Sequence, residues 1–297
     1  MWLVITALLP PPGEEYLMLD ALRRAGARAV EQDGERVRAW LPPPSDVRRA
    51  VADVERGLRA STSMADPRVE WDLRSHEAWL ARWAAEAAPI RVVPGIVVMG
   101  PDTADPGAAD AGNGVDGDDV VIRLEPGVAF GNAEHPTTRG CLRLLRDEIV
   151  SGAVVCDVGS GTGILAVAAA LLGARRVLAL ETDPLAADAA RRNVQLNGLA
   201  DVVTVRRAAV GPADAGALAP VDLVLANLEA PLLTALLPGF SDAIGESGGV
   251  IVAGVTGGEE SSFRDDVVNA GLRVHRSGRE DGWWCAVLRR SGQQPRR

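Results

Sequence analysis

At 297 residues with 47% hydrophobic composition, the chain can bury more than one core, and a formal net charge of -9 argues against a nucleic-acid backbone as its main partner. Every one of the 31 basic residues is Arg, which excludes Schiff-base chemistry and a lysine general base. Asp102, Asp105, Asp110, Asp116, Asp118 and Asp119 lie together in a segment without Arg, so the charge of the remainder is nearly balanced.

Met1 to Leu9 is apolar, lacks a basic n-region and runs into Pro10, Pro11 and Pro12, so it is expected to be a strand and not a signal peptide. Strands at 2–8, 29–32, 36–41 and 69–73 and helices at 14–25 and 46–59 follow in the order βαββαβ, the ferredoxin-like pattern of a small α+β domain over residues 1–73. No residue in it has a catalytic pattern, and its expected role is to hold a partner or substrate, the alternative being a purely structural cap. A short helix at 75–87 puts Trp79 and Trp83 on one face. A strand pair at 90–99, turned at Pro94-Gly95, and the Gly-, Ala- and Asp-rich stretch 101–119 complete a connector over residues 74–119.

From Val120, strands at 120–124, 154–158, 176–181, 202–206, 221–226 and 249–255 alternate with helices at 137–149, 164–172, 184–197, 231–244 and 259–270. That alternation predicts an α/β domain over residues 120–297, with a parallel sheet covered on both faces and ligands over the C-terminal strand ends. The strands at 272–276 and 283–289 have no helix between them, so they form a hairpin and one runs antiparallel.

Cys141, Cys156 and Cys285 each sit in an apolar pattern, which fits buried, reduced thiols in a cytoplasmic protein. His76, His135 and His275 have no ligand spacing, so no metal is expected. No run approaches the ~18 apolar residues of a membrane span, so no membrane partner is expected, and no oligomeric state is specified.

The chemistry centres on Val154 to Leu165, where a β-branched strand ends near Asp157 and turns through Gly159, Gly161 and Gly163 into an apolar helix. Alternate glycines permit positive φ and remove Cβ atoms, so a cofactor can lie directly on the turn. A dinucleotide fingerprint would need glycine at 164, which is Ile164, and Asp157 sits badly beside a pyrophosphate. It sits well beside a cation, and S-adenosylmethionine carries an ammonium and a sulfonium and no phosphate. The next strand ends on Glu181, where a βαβ unit delivers a carboxylate to both hydroxyls of a ribose; the alternative is that Glu181 caps the helix from Pro184. Asn227, ending the strand before Leu228-Glu229-Ala230-Pro231, either aims an amine with its side-chain amide or caps the next helix. Ala208-Ala209 is small enough to lie beside an adenine, and Thr137 or Thr138 is placed to be an N-cap.

Glu125-Pro126-Gly127-Val128-Ala129-Phe130-Gly131, His135-Pro136-Thr137-Thr138, the glycine turn, Glu181-Thr182-Asp183-Pro184 and Asn227-Leu228 together resemble the PrmA family, enzymes that methylate large-subunit ribosomal protein eleven. The resemblance covers nearly the whole chain, including the closing Trp284-Cys285. It implies a Rossmann-like, seven-stranded class I methyltransferase domain, a small domain that grips the protein substrate, and cofactor contacts at Thr138, Gly159, Glu181 and Asn227. Asn132 and Ala133 stand where the family usually has Thr and Gly, and Glu181 where it commonly has Asp.

The expected activity is therefore methyl transfer from S-adenosylmethionine to lysine or N-terminal amines of a ribosomal protein, with Asn227 aiming the amine and in-line alignment as the main catalytic term. No residue stands out as a dedicated base; His135 and Glu134 are the candidates, and desolvation of the bound amine is the alternative. Transfer to another protein or a small amine, a non-catalytic cofactor-binding module on the ribosome, and a nicotinamide dehydrogenase are the alternatives, the last disfavoured by Ile164 and Asp157.

Overall fold

The computed structural model describes residues 2–11, 14–27, 29–33, 35–64, 66–74, 89–101, 103, 115–125, 133, 135–211, 218 and 220–292. The helix expected at 75–87 with Trp79 and Trp83, most of the acidic stretch, and Phe130, Gly131, Asn132 and Glu134 lie outside the described residues. Two compact units divide the chain, one of Met1–Glu86 with Pro126–Ala129 and one of Ala87–Glu125 with Phe130–Arg297.

In the first unit the order is β1 (Trp2–Leu8), α1 (Glu15–Arg24), β2 (Ala29–Asp33), β3 (Arg36–Leu41), α2 (Val47–Ser61) and β4 (Val69–Arg74). The strands form an antiparallel sheet ordered β2-β3-β1-β4. Alternation sorts β1: Leu3, Ile5 and Ala7 join Met18, Leu22, Val54 and Leu58 of the helices, while Trp2 and Val4 meet Trp40 on the other face. Asp46 starts α2 by accepting the Arg49 N–H at 3.1 Å, and Gly26 takes the positive φ of 96° that ends α1.

The second unit opens with β5 (Ile90–Val93), β6 (Ile96–Met99) and β7 (Val120–Arg123). The sequence pattern assigns 120–124 to the long parallel sheet, and the structure corrects this: β7 pairs in parallel with β6 in a separate three-stranded sheet. Periodicity marks a strand but not its partner, and Ile122 and Leu124 face the same core as Val93, Ile96 and Val98.

The main sheet holds β8 (Val154–Val158), β9 (Arg176–Glu181), β10 (Val203–Arg207), β11 (Val221–Asn227), β12 (Ile244–Thr256), β13 (Leu272–Glu280) and β14 (Trp283–Arg290) in the order β10-β9-β8-β11-β12-β14-β13. Its helices are α3 (Pro136–Glu148), α4 (Ile164–Leu171), α5 (Pro184–Leu196), α6 (Ala230–Ala243) and α7 (Glu260–Asn269). As the missing helix predicts, β13 and β14 form a hairpin, and β14 runs antiparallel to both its neighbours. Strand β12 begins at Ile244, earlier than the expected 249, because Val221 continues the β11 pairing to Ile244.

Residues of β8 alternate between two cores. Val155 faces Leu142, Leu145 and the apolar α4, whereas Val154, Cys156 and Val158 face Leu233, Leu237 and Phe240 of α6 and Phe263 of α7. Helix α4 is apolar all round because residues 164–169 are all buried. All three cysteines are free and buried, and burial pushes the Cys156 thiol up to about 12, so none is reactive. Among the described residues no helix is long and apolar enough to cross a membrane, and no group of His, Cys, Asp or Glu could hold a metal.

Candidate functional site

Parallel register brings three candidate residues into one row. Val158 is opposite both Leu180 and Ala226, so Gly159, Glu181 and Asn227 each lie one position beyond the last pairing of β8 with β9 and β11. Adjacent strands lie about 4.8 Å apart, so the row is within reach of one small molecule. Asn227 is itself opposite Ala253 of β12.

The glycine turn leaves β8 with φ of 73°, 54° and 79° at Gly159, Gly161 and Gly163. Two of the three also make close approaches that an added side chain would crowd. A Cβ on Gly159 would stand 2.5 Å from Leu228 Cδ2, and one on Gly163 would stand 3.1 Å from Ala190 Cβ on α5. The backbone N–H groups of Gly159 and Ser160 both donate to Leu180 O, at 2.9 and 3.0 Å, which fastens the turn to β9.

Glu181 extends that fastening. Its Oε2 accepts the Gly161 N–H at 2.9 Å, and its Oε1 accepts the N–H groups of Thr182 at 2.7 Å and Asp183 at 2.9 Å. The cap of α5 is Asp183, which accepts the Leu185 N–H at 2.9 Å, so Glu181 is not the cap residue. Each carboxylate oxygen has more than one lone pair, and acceptor capacity remains for a ligand hydroxyl. Ala208 reaches the same row through its N–H to Glu181 O at 3.0 Å.

At the other end of the row, Asn227 is not a cap either, since α6 is preceded by Glu229 without a side-chain cap bond. The turn after Asn227 is held from behind, where Leu228 N–H donates to Ala253 O at 3.0 Å and Gly254, at φ 98°, lies against the Leu228 backbone. Gly254 was not among the residues the sequence singled out; a glycine inside a strand pattern is the signal that a backbone approaches closely there.

Neither threonine of the Pro-Thr-Thr sequence caps α3. His135 does, its Nδ1 lying 2.7 Å from Thr137 Oγ1 and 3.3 Å from the Thr137 N–H donor. Its ring packs against Trp283 at 5.5 Å, and Trp283 pairs with Thr256 at the end of β12, so the first turn of α3 belongs to the same rim. Arg139 and Arg143, donating to Glu280 at 2.5 and 2.9 Å, tie α3 to the β13–β14 hairpin. With Nδ1 engaged at the cap, His135 is poorly disposed to act as a base.

Asp157 points to the α3 and α4 side of the sheet. It is 1% exposed; the Ala166 N–H serves one oxygen, and Oδ2 has no partner among the described residues. Burial pushes its carboxyl up to about 7, the Ala166 hydrogen bond opposing this and Glu181 adding to it. The folded chain therefore keeps this proton well above the ordinary 3.8 at which the unfolded chain releases it. Stability from this group is complete below about pH 4 and falls as pH rises towards 7. Compared with Asp157→Asn, the cofactor-free wild type should lose about 2–3 kcal/mol between pH 5 and pH 8 in denaturant unfolding. A gap of equal size at both pH values would remove Asp157 as the titrating group.

Thr138 Oγ1 and Ser160 Oγ are also buried and unpartnered among the described residues. An unmet buried acceptor or hydroxyl is costly, and three of them, two in or next to the glycine turn, suit a polar, cationic ligand. This donor set fits S-adenosylmethionine better than a phosphate-bearing cofactor, because an anion would lie against Asp157 and Glu181.

A mixed seven-stranded sheet in this order, with such a rim over its C-terminal strand ends, is the fold of class I methyltransferases, enzymes that use S-adenosylmethionine. The chain belongs to the family described as ribosomal protein L11 methyltransferase (PrmA), whose model matches residues 18–291. It is 32% identical to the ribosomal protein L11 methyltransferase of Synechococcus sp. (strain RCC307) over 95% of this chain and 96% of that one. The corresponding protein of Symbiobacterium thermophilum is 34% identical, across 85% of this chain and 79% of its own. A crystal structure of ribosomal protein L11 methylase from Lactobacillus delbrueckii subsp. bulgaricus is similar with a TM-score of 0.58 and 28% identity, covering 68% of this chain and 98% of that chain.

Proposed function

We propose that the chain methylates lysine or N-terminal amines of ribosomal protein L11 in the cytoplasm, with the row Glu181, Gly159 and Asn227 as the cofactor and amine site. The observation that carries this is the in-register alignment of that row beside the buried oxygen of Asp157, which has no partner among the described residues. S-adenosylmethionine supplies a methyl group on a sulfonium that is already a good leaving group.

Residues of the chain do the rest. Glu181 accepts from the ribose hydroxyls while keeping the glycine turn in shape, Gly159, Gly161 and Gly163 let the ligand lie on the backbone, and Asp157, Thr138 and Ser160 meet its polar end. Ala208 and Ala209 leave room for the adenine. Asn227, with the carbonyls that follow, receives the N–H groups of the incoming amine and aims its lone pair, which is worth several kcal/mol as alignment. A lysine amine with a pKa of ~10.4 must lose its proton before transfer, and desolvation in the site favours the neutral form.

The small unit, with its βαββαβ order and antiparallel sheet, is read as a ferredoxin-like domain over residues 1–73 that grips the protein substrate, with 74–119 as connector and 120–297 as the catalytic domain. No direct contact with nucleic acid or membrane is required.

The test is labelled methyl transfer to purified L11 with the modified residues located by mass spectrometry. Asn227→Ala should lower the saturated rate at least about a hundredfold while changing the cofactor Kd less than about threefold. Cofactor binding without transfer to L11 would overturn the substrate, and equal losses in rate and affinity would make Asn227 a cofactor ligand only.

A further inference from the structure

Helix α5 carries an asparagine pair that the proposed chemistry does not use. Asn193 is fully buried, and both ends of its amide are engaged: Nδ2 donates to Thr162 O in the glycine turn at 2.8 Å, and Oδ1 accepts the Glu125 N–H at 2.7 Å. One neighbour is a carbonyl and the other an N–H, so the amide has a single satisfied orientation. One turn on, Asn197 pairs with Arg123 as a strand would, its Oδ1 accepting the Arg123 N–H at 2.9 Å and its Nδ2 donating to Arg123 O at 2.7 Å. It thereby extends the free edge of β7. Arg192 adds an ion pair to Glu125 at 2.7 Å, and Ala190 lies against Gly163.

The backbone at Glu125 leads directly into residues 126–134, part of the segment most particular to the family resemblance. We infer that Asn193 is a positioning residue that locks the glycine turn to the end of β7 at Glu125, so that the cofactor loop and that strand end keep one relative placement. Asn197 anchors the same strand end without touching the turn, and so has a structural role alone. The inference rests on the reading of the glycine turn as the cofactor loop.

The pair supplies its own control. At a pH high enough to ionise the buried carboxyl, Asn193→Asp keeps the acceptor for Glu125 N–H and sets a carboxylate oxygen against Thr162 O, breaking the link to the turn. Asn197→Asp breaks only a bond to Arg123 and one to Asn193 O at 2.7 Å. Amide exchange on the full chains without cofactor should quicken at least tenfold in the glycine turn for Asn193→Asp and stay within about twofold of wild type there for Asn197→Asp. In calorimetry and methyl-transfer assays, Asn193→Asp should raise the S-adenosylmethionine Kd about tenfold and lower the saturated rate about tenfold, with Asn197→Asp within about twofold of wild type.

Native exchange of the glycine turn in Asn193→Asp, or equal losses in both variants, would overturn the inference. If Asn193→Asp fails to fold, exchange of the wild type with and without cofactor decides: slowing around Glu125 on binding supports the link, and unchanged exchange there overturns it. A wild type that bound no S-adenosylmethionine would remove the functional reading, while the cofactor-free exchange comparison would still judge the lock.

Discussion

Among the described glycines, Gly254→Ala is expected to be the most damaging change. A Cβ at Gly254 would stand 2.2 Å from Leu228 O and 2.8 Å from Leu228 C, and these are backbone atoms that no rotamer change can move aside. The φ of 98° adds strain for any L side chain. Relief requires the Leu228 backbone to move, and Leu228 follows Asn227 directly. The expected cost is about 3–5 kcal/mol of stability, read as a fall in melting temperature, with a transfer rate reduced at least about a hundredfold where the protein is still folded. Gly258→Ala is the control, because its added Cβ would meet nothing within 4 Å, and it should be silent. Wild-type melting and rate in Gly254→Ala would mean that the turn after Asn227 is not held from behind.

Glu181→Ala should have the largest effect on cofactor affinity. The carboxylate holds the N–H groups of Gly161, Thr182 and Asp183, and in the proposed site it also receives the ribose hydroxyls. Hydrogen bonds to a charged acceptor are worth about 1.5–3 kcal/mol each, so affinity should fall by about 3 kcal/mol, more than a hundredfold in Kd. Two contributions are separable with a cofactor analogue lacking the ribose hydroxyls. If Glu181 grips the ribose, removing the side chain and the hydroxyls together should cost clearly less than the sum of the two separate losses. Simple additivity would limit Glu181 to shaping the turn, and an unchanged Kd by calorimetry would take it out of the site.

These two predictions differ in how far they could be made from sequence. Glu181 was singled out by its place after a strand that follows a glycine turn, because chain order and strand period put it there. What the sequence does not carry is that both its oxygens already serve the backbone, which joins the capping and ribose alternatives in one side chain. Gly254 had only the weak signal of a glycine in a strand.

By itself, the sequence determined much that depends on neighbours along the chain: most of the described strand and helix spans, the positive φ of Gly159, Gly161 and Gly163, and the hairpin implied by the absent helix between β13 and β14. Those features follow from local sterics and from the periodicity of apolar residues, which act over a few positions. Tertiary structure alone decided that Val120–Arg123 pairs with Ile96–Met99 and not with the main sheet, and that His135, rather than Thr137 or Thr138, caps its helix. It also decided that Asp157 loses enough water to hold its proton to about pH 7, and that Asn193 joins Thr162 to Glu125. Desolvation, close backbone approach and hydrogen bonds between residues far apart in sequence depend on which surfaces the packed chain brings together, and no local pattern encodes them.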